Sequence, residues 1–195
     1  MGSRASSRRV TSIALLVFAL AGPVLGFYHW ADNRSRAIAA QNELGPQYHN
    51  ALKHALASGM TYQALRTVLL PKDAAYAMTR QIGWLNEYVE TYIKPGVPDD
   101  TAEMSRDLTN NMYGISAAQW AEGSSATLPD ALACLAQHNL LQLRAASSAQ
   151  SNPGDLETAW RFASDLKPML EVKALEILEQ SQATHCSIDR DAAHL

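Results

Sequence analysis

A short stretch near the middle of the chain carries residue types from which a binding or catalytic site could be built. Asp107, Asn110, Asn111 and Gly114 lie close together inside a pattern typical of a long helix. Asparagine is a weak helix former and an interior glycine costs about 1 kcal/mol relative to alanine, so we expect a local reason for these residues. A carboxylate and amides beside a glycine, which lets a backbone or a ligand come close, indicate a candidate site. The alternative is a helix crossing at Gly114, with Asn111 capping a neighbouring turn.

Two rows of side chains along this helix predict how the stretch is oriented. An apolar seam with spacings of four and three residues consists of Met104, Leu108, Met112 and Ile115. At 100° per residue, a second row about 60° from the seam consists of Asp107, Asn111, Gly114 and Ala118. We expect the second row to be half buried, on the flank of the core face.

A histidine and a glutamate on two other predicted helices could join this stretch. If His54, Glu87 and Asp107 meet inside a bundle, they supply ligands for a divalent metal or an acid–base group, with Asn110 or Asn111 orienting a substrate. The sequence requires no cofactor. Other interpretations exist for two of these residues: Glu87 lies about 160° from the apolar row of its helix, which indicates a solvated carboxylate. A lone histidine such as His54 is more often a surface or internally satisfied side chain than a ligand.

Helical periodicity accounts for the elements that must position these residues. No segment shows the alternation of apolar and polar residues that a half-buried strand requires, so we predict an all-α fold, a compact bundle of about six helices. Pro168 is expected to kink or divide the last helix, with Asp165 capping its second half. The predicted helices span 31–44, 46–58, 60–70, 72–94, 100–123, 129–146 and 155–180.

The predicted helix 72–94 has the clearest apolar row. The row recurs at spacings of four and three residues and is expected to face the core; it consists of Met78, Ile82, Leu85, Val89 and Tyr92. Trp84, Tyr88 and Tyr92 follow one another at four-residue spacing. Together with Trp120, these aromatic side chains either pack in the core or line a groove for a lipid or a partner helix.

Three short elements resemble an uncharacterised family of bacterial all-helical proteins. They are Asn50-Ala51-Leu52-Lys53-His54, Asn86-Glu87, and Asp107-Leu108-Thr109-Asn110-Asn111-Met112-Tyr113-Gly114. The family pattern is Asn-Ala-x-Arg-His, then His-Glu, then Asp-x-x-Asn-Asn-x-x-Gly, and the resemblance covers roughly residues 46–120. Lys53 stands where the family has arginine and Asn86 where it has histidine. These departures imply that a metal or acid–base site of the family is altered or lost in this chain.

The N-terminal region predicts export and membrane attachment. Residues 10–30 contain no charged side chain and follow Arg4, Arg8 and Arg9, a pattern typical of a membrane anchor with its N-terminus in the cytoplasm. The alternative is a signal peptide cleaved near Ala21. We favour the uncleaved anchor, which divides the chain into an anchor at 1–30, a helical periplasmic domain at 31–181 and a flexible tail at 182–195.

Export would place both cysteines in an oxidising compartment. Cys134 and Cys186 could then form a disulfide that ties the tail to a helix, and the alternative is two unpaired thiols. Their separation is not a zinc-binding pattern.

The length, hydrophobic content and charge of the chain exclude some classes of function. A chain of 195 residues with 47% hydrophobic content can bury one core. All 19 acidic residues follow the N-terminal arginines, so the domain is acidic and unsuited to binding the nucleic-acid backbone. Common enzyme signatures are absent from the sequence. We therefore expect a membrane-anchored helical binding or interaction protein of the bacterial envelope, of an accessory or immunity type. It would span the inner membrane once, with its C-terminal domain in the periplasm, and hold a protein partner at the membrane. The alternative is a hydrolase-like or metal-dependent enzyme with a site at His54, Glu87, Asp107, Asn110 and Asn111.

Overall fold

The computed structural model describes residues 27, 29–93, 99–143 and 154–184. Within these ranges the chain forms six α-helices and no strand, which confirms the all-α prediction. A π-helical turn at Val89–Ile93 extends the third helix. The helices are α1 (29–41), α2 (Tyr48–Thr67), α3 (Lys72–Tyr88), α4 (Thr101–Glu122), α5 (Leu128–Gln137) and α6 (Leu156–Thr184).

Helix α4 forms the centre of the bundle and packs against α2, α3, α5 and α6. It begins at the predicted place because the Asp100 side chain accepts a 2.7 Å hydrogen bond from the backbone N–H of Glu103. Residues 107–118 are all buried, so the predicted apolar seam is confirmed. The second row, which includes Asp107 and Asn111, is buried rather than half buried because neighbouring helices cover both sides of α4.

Two predicted helix breaks do not occur. Helix α2 continues through Gly59, since a glycine lowers helix stability without forbidding the helical backbone. Helix α6 continues through Pro168, so the predicted division there is wrong and Asp165 does not cap a separate helix. The kink at Pro168 stays a prediction. Tertiary packing offsets the hydrogen bond that proline cannot make, because buried side chains on both sides of Pro168 hold α6 in the bundle. Helix α6 also extends to Thr184, beyond the predicted domain end at residue 181.

Helix α3 presents the opposite face from the one predicted. Its buried side is a row of small residues that ends in a carboxylate: Ala75, Thr79, Gly83 and Glu87. The predicted core row is solvent-exposed; Ile82, for example, is 47% exposed and Leu85 is 54% exposed. Small side chains let α3 approach α4 more closely than a row of large aliphatic residues would allow.

The aromatic residues of α3 and the π-helical turn form a stacked row at the surface. The ring centroids of Trp84 and Tyr88 are 5.6 Å apart, and those of Tyr88 and Tyr92 are 5.2 Å apart. Tyr88 and Tyr92 are exposed, so packing in the core is wrong for these two residues. The groove for a lipid or partner helix stays a prediction.

Helix α5 begins with a capping box, in which Thr127 and Asp130 each accept a hydrogen bond from the other's backbone N–H. It ends at Gln137, earlier than predicted, because Asn139 adopts a left-handed backbone conformation with φ of 56°. Cys134 is buried in α5. Cys186 lies outside the described residues, so the disulfide stays a prediction.

The predicted anchor, residues 10–30, lies outside the described residues apart from positions 27, 29 and 30, and so does most of the predicted tail. Among the helices in the described ranges, none combines the length and apolar character needed to cross a membrane.

Candidate metal centre

Three helices bring His54, Glu87 and Asp107 together in the interior of the bundle. His54 Nδ1 lies 3.6 Å from Glu87 Oε1, and His54 Nε2 lies 3.4 Å from Asp107 Oδ2. The three residues are 5%, 0% and 4% exposed, respectively. The predicted meeting of these side chains is therefore observed, and the interpretations of Glu87 as solvated and of His54 as a surface residue are wrong.

The close approach of α3 to α4 accounts for the position of Glu87. A Cβ atom added to Gly83 would lie 2.9 Å from Asn111 Nδ2, so the Asn111 amide occupies the space that a side chain at position 83 would need. Gly83 is one helical turn before Glu87, and Asn111 is one turn after Asp107. The contact therefore sets the separation of the two helices beside the pair of carboxylates.

A second close contact places His54 against α4. A Cβ atom added to Gly114 would overlap the carbonyl oxygen of Ala55 and lie 2.6 Å from its carbonyl carbon. The predicted helix crossing at Gly114 is therefore confirmed. On the same face of α2 as His54, Asn50 donates a 3.2 Å hydrogen bond to Asp107 Oδ1. This bond orients the Asp107 carboxylate so that its other oxygen faces His54.

Asn110 has a structural role that the sequence analysis assigned to Asn111. Its side-chain amide donates to the carbonyl of Gln142 at 2.9 Å and its side-chain oxygen accepts from the backbone N–H of Gln142 at 2.8 Å. These two bonds satisfy the backbone of the segment that follows α5. The low helix propensity of Asn110 and of Gly114 thus has a packing explanation, and their presence in the helix is not itself evidence for a site.

Burial makes the ionised forms of the cluster costly. Desolvation, reinforced by Lys53, lowers the pKa of His54 to about 4, and the nearby carboxylates of Glu90 and Asp99 only partly oppose this shift. Desolvation raises the pKa of Glu87 well above its ordinary value, and the Asp107 charge raises it further. Desolvation, followed by the Asp99 charge, raises the pKa of Asp107 to about 7. Without a bound cation, the cluster therefore favours neutral imidazole and protonated carboxyl groups at moderately acid pH.

Glu87 is the least satisfied member of the cluster. Both of its carboxylate oxygens are buried, and neither has a partner with regular hydrogen-bond distance and angles among the described residues. The Asn86 side chain lowers the pKa of Glu87 but opposes the rise caused by burial only in small part. Buried polar atoms are nearly always hydrogen-bonded or bound to an ion, because desolvation without compensation is costly. One donor atom from each of His54, Glu87 and Asp107 lies within 4.8 Å of the others. Ligands on opposite sides of a first-row metal ion are about 4.2 Å apart, so a small side-chain movement would let the three residues coordinate one ion.

A second group of acidic residues adjoins this cluster and was missed in the sequence analysis. One oxygen from each of Glu87, Glu90 and Asp99 also lies within 4.8 Å of the others. Glu90 belongs to the π-helical turn, and its three-residue spacing from Glu87 is a signal that the sequence contains. The sequence offers no comparable signal for Asp99, which depends on how the chain enters α4.

Comparisons with known proteins add no assignment to this geometry. No family model, no curated protein and no solved structure matches the chain.

Proposed function

We propose that the helical domain is a metal-dependent protein that binds a divalent first-row transition-metal ion through His54, Glu87 and Asp107. The observation that carries the proposal is the buried Glu87 carboxylate, which has no partner with regular hydrogen-bond distance and angles among the described residues and faces a buried imidazole. A mixed set of one imidazole and two carboxylates suits ions such as Mn²⁺, Fe²⁺, Co²⁺ and Zn²⁺.

Charge balance supports a cation at this place. Two carboxylates and one neutral imidazole carry two negative charges, which a divalent ion offsets in the low-dielectric interior. The raised pKa values of Glu87 and Asp107 mean that protons compete with the ion. Binding therefore releases protons, and the affinity for the ion rises with pH.

The ligand set supports a reaction as well as binding. Three protein ligands leave at least one coordination position for water or substrate, as in catalytic rather than structural metal sites. If His54, Glu87 and Asp107 held an ion such as Zn²⁺, the ion would supply a water molecule with a lowered pKa, so metal-assisted hydrolysis is the reaction class that we propose. Asn50 holds Asp107 in place through its hydrogen bond and acts as a positioning residue.

Metal titration of the purified domain tests this proposal. After treatment with a chelator, added Mn²⁺, Co²⁺ or Zn²⁺ should raise the melting temperature. At an ion concentration of 100 Kd, the free energy of unfolding should rise by about 2.7 kcal/mol. Glu87→Gln and His54→Ala should abolish this increase. Glu179→Gln, a change at an exposed position on α6, is the matched control and should behave like the parent. A parent protein that none of these ions stabilises, or a Glu87→Gln variant that binds as tightly as the parent, would refute the assignment.

A second candidate function is partner binding at the bacterial inner membrane, with the domain in the periplasm. The uncharged segment 10–30 after three arginines supports the anchor. The exposed apolar row on α3 supports a protein partner, because adjacent exposed aliphatic side chains are typical of interaction surfaces. This function is compatible with a metal centre on the opposite face of α3.

Two experiments address this second candidate. A reporter that is active only in the periplasm, fused after Leu195, should be active, and activity of a cytoplasmic reporter would reverse the topology. Crosslinking in cells should recover one specific protein, and replacing Ile82 and Leu85 with lysine should prevent its recovery. Recovery of the same protein with both lysines present would exclude the α3 row as the contact surface.

A further inference from the structure

Glu87 belongs to two groups of candidate ligands at once. The inner group consists of Glu87 with His54 and Asp107, and the outer group consists of Glu87 with Glu90 and Asp99. The inner residues are all buried, whereas Glu90 and Asp99 are only partly buried. The outer group therefore lies on the solvent side of the Glu87 carboxylate.

We propose that the centre binds two divalent ions, the second held by Glu87, Glu90 and Asp99, with the Glu87 carboxylate shared between the ions. This inference rests on the proposed metal site and goes beyond it by assigning a second ion and three ligands to it. The shared carboxylate is the feature that links the two groups, because each of its two oxygens can bind one ion.

The state of Glu87 supports a bridging role. Both oxygens are buried and neither accepts a hydrogen bond of regular distance and angles from the described residues. An ion in the inner group alone would leave the second oxygen without a partner unless the ion bound both oxygens of the carboxylate. Two ions bridged by one carboxylate satisfy both, and metal pairs in proteins lie about 3.5–4 Å apart, a distance that a carboxylate spans.

The local charge favours cations at this place. Glu87, Glu90, Asp99 and Asp107 place four carboxyl groups in two overlapping sets of candidate ligands. One divalent ion in each set would add positive charge beside these acidic groups.

The backbone around Glu90 also departs from regular helix. The chain changes from α-helix to a π-helical turn at Val89–Ile93, immediately after Glu87 and around Glu90. Single π-helical turns are rare and frequently lie at functional sites. Here the turn carries a carboxylate that lies next to both Glu87 and Asp99.

Equilibrium dialysis with Mn²⁺ tests the second ion. The full domain should bind two equivalents of Mn²⁺, and electron paramagnetic resonance should show the broadened spectrum of two coupled ions. Asp99→Asn and Glu90→Gln should each reduce binding to one equivalent and give the spectrum of an isolated Mn²⁺ ion. Glu87→Gln should lose both ions, and Glu179→Gln should retain both.

The outcomes distinguish this inference from the proposed function. One equivalent of Mn²⁺ in the parent, unchanged in Asp99→Asn and Glu90→Gln, would overturn the second ion and leave the inner site intact. Binding of no Mn²⁺ by the parent would overturn both. Asp99 and Glu90 lie in different segments of the chain, so one substitution can impair folding without the other doing so. Circular dichroism shows which variants fold, and one folded variant is enough to compare its number of bound Mn²⁺ ions with that of the parent.

Discussion

Replacing Asp107 with asparagine should stabilise the metal-free protein at alkaline pH while removing its metal affinity. The native carboxyl group has a pKa of about 7 because it is buried, whereas a model aspartate has a pKa of 3.8. Between pH 3.8 and pH 7, the Asp107 carboxyl group is therefore protonated in the native state and ionised in the unfolded state. Stability conferred by the protonated form is complete below pH 3.8 and is lost as pH rises through 7.

The magnitude follows from the size of this shift. A difference of about three pKa units corresponds to about 4 kcal/mol of unfavourable ionisation at pH 8, because each unit is 1.36 kcal/mol. Asparagine has the same shape and cannot ionise, and its side-chain oxygen can still accept the hydrogen bond from Asn50. Strong coupling with Glu87 shares the cost between both carboxyl groups, so we expect a gain of about 2–4 kcal/mol at pH 8.

Urea unfolding in the presence of a chelator measures the effect. The free energy of unfolding of Asp107→Asn should exceed that of the parent at pH 8, and the difference should shrink towards zero at pH 4. Adding Zn²⁺ or Mn²⁺ at pH 8 should reverse the order, because only the parent retains the complete ligand set. A variant that is less stable than the parent by the same amount at both pH values would refute the reasoning, since it would indicate that Asp107 serves mainly as a hydrogen-bond partner.

Three further predictions test the contacts around the centre. Gly114→Ala should lower the free energy of unfolding by about 1–3 kcal/mol, because the added methyl group overlaps the α2 backbone. Gly123→Ala should change it by less than about 1 kcal/mol, since a methyl group there would lie 3.8 Å from the Trp120 carbonyl oxygen. Urea unfolding measures both, and equal effects would contradict the close helix crossing. Asn50→Ala should weaken Mn²⁺ binding about 10- to 100-fold in dialysis, and unchanged affinity would exclude its positioning role. Asn110→Ala should cost about 1–3 kcal/mol in the same unfolding assay without changing Mn²⁺ affinity, and lost Mn²⁺ binding would return Asn110 to the site.

Local signals in the sequence were sufficient for the start and for the core face of α4. The start of α4, where Asp100 caps the helix, and the apolar seam of α4 depend on residues only a few positions apart, and the predicted start and seam are both confirmed. The roles of Asn110 and Asp99 depend on segments far away along the chain. The partner of Asn110 is Gln142, beyond α5, and no spacing rule within α4 indicates that contact.

The wrong prediction of the core face of α3 has a physical cause, and the same cause explains why Glu87 lies beside Asp107. Periodicity assigned the core face to the largest apolar side chains, but a helix that must place a carboxylate beside a second carboxylate has to approach its neighbour closely. Ala75, Thr79 and Gly83 permit that approach, and they repeat at four-residue intervals that end at Glu87. The large residues are left on the outer face, where burying them would require a further partner. Because the small-residue face of α3 packs against α4, the ligand cluster is buried and the large apolar row is exposed. In a sequence, such a helix can be recognised by a row of small residues at four-residue spacing that ends in a single carboxylate.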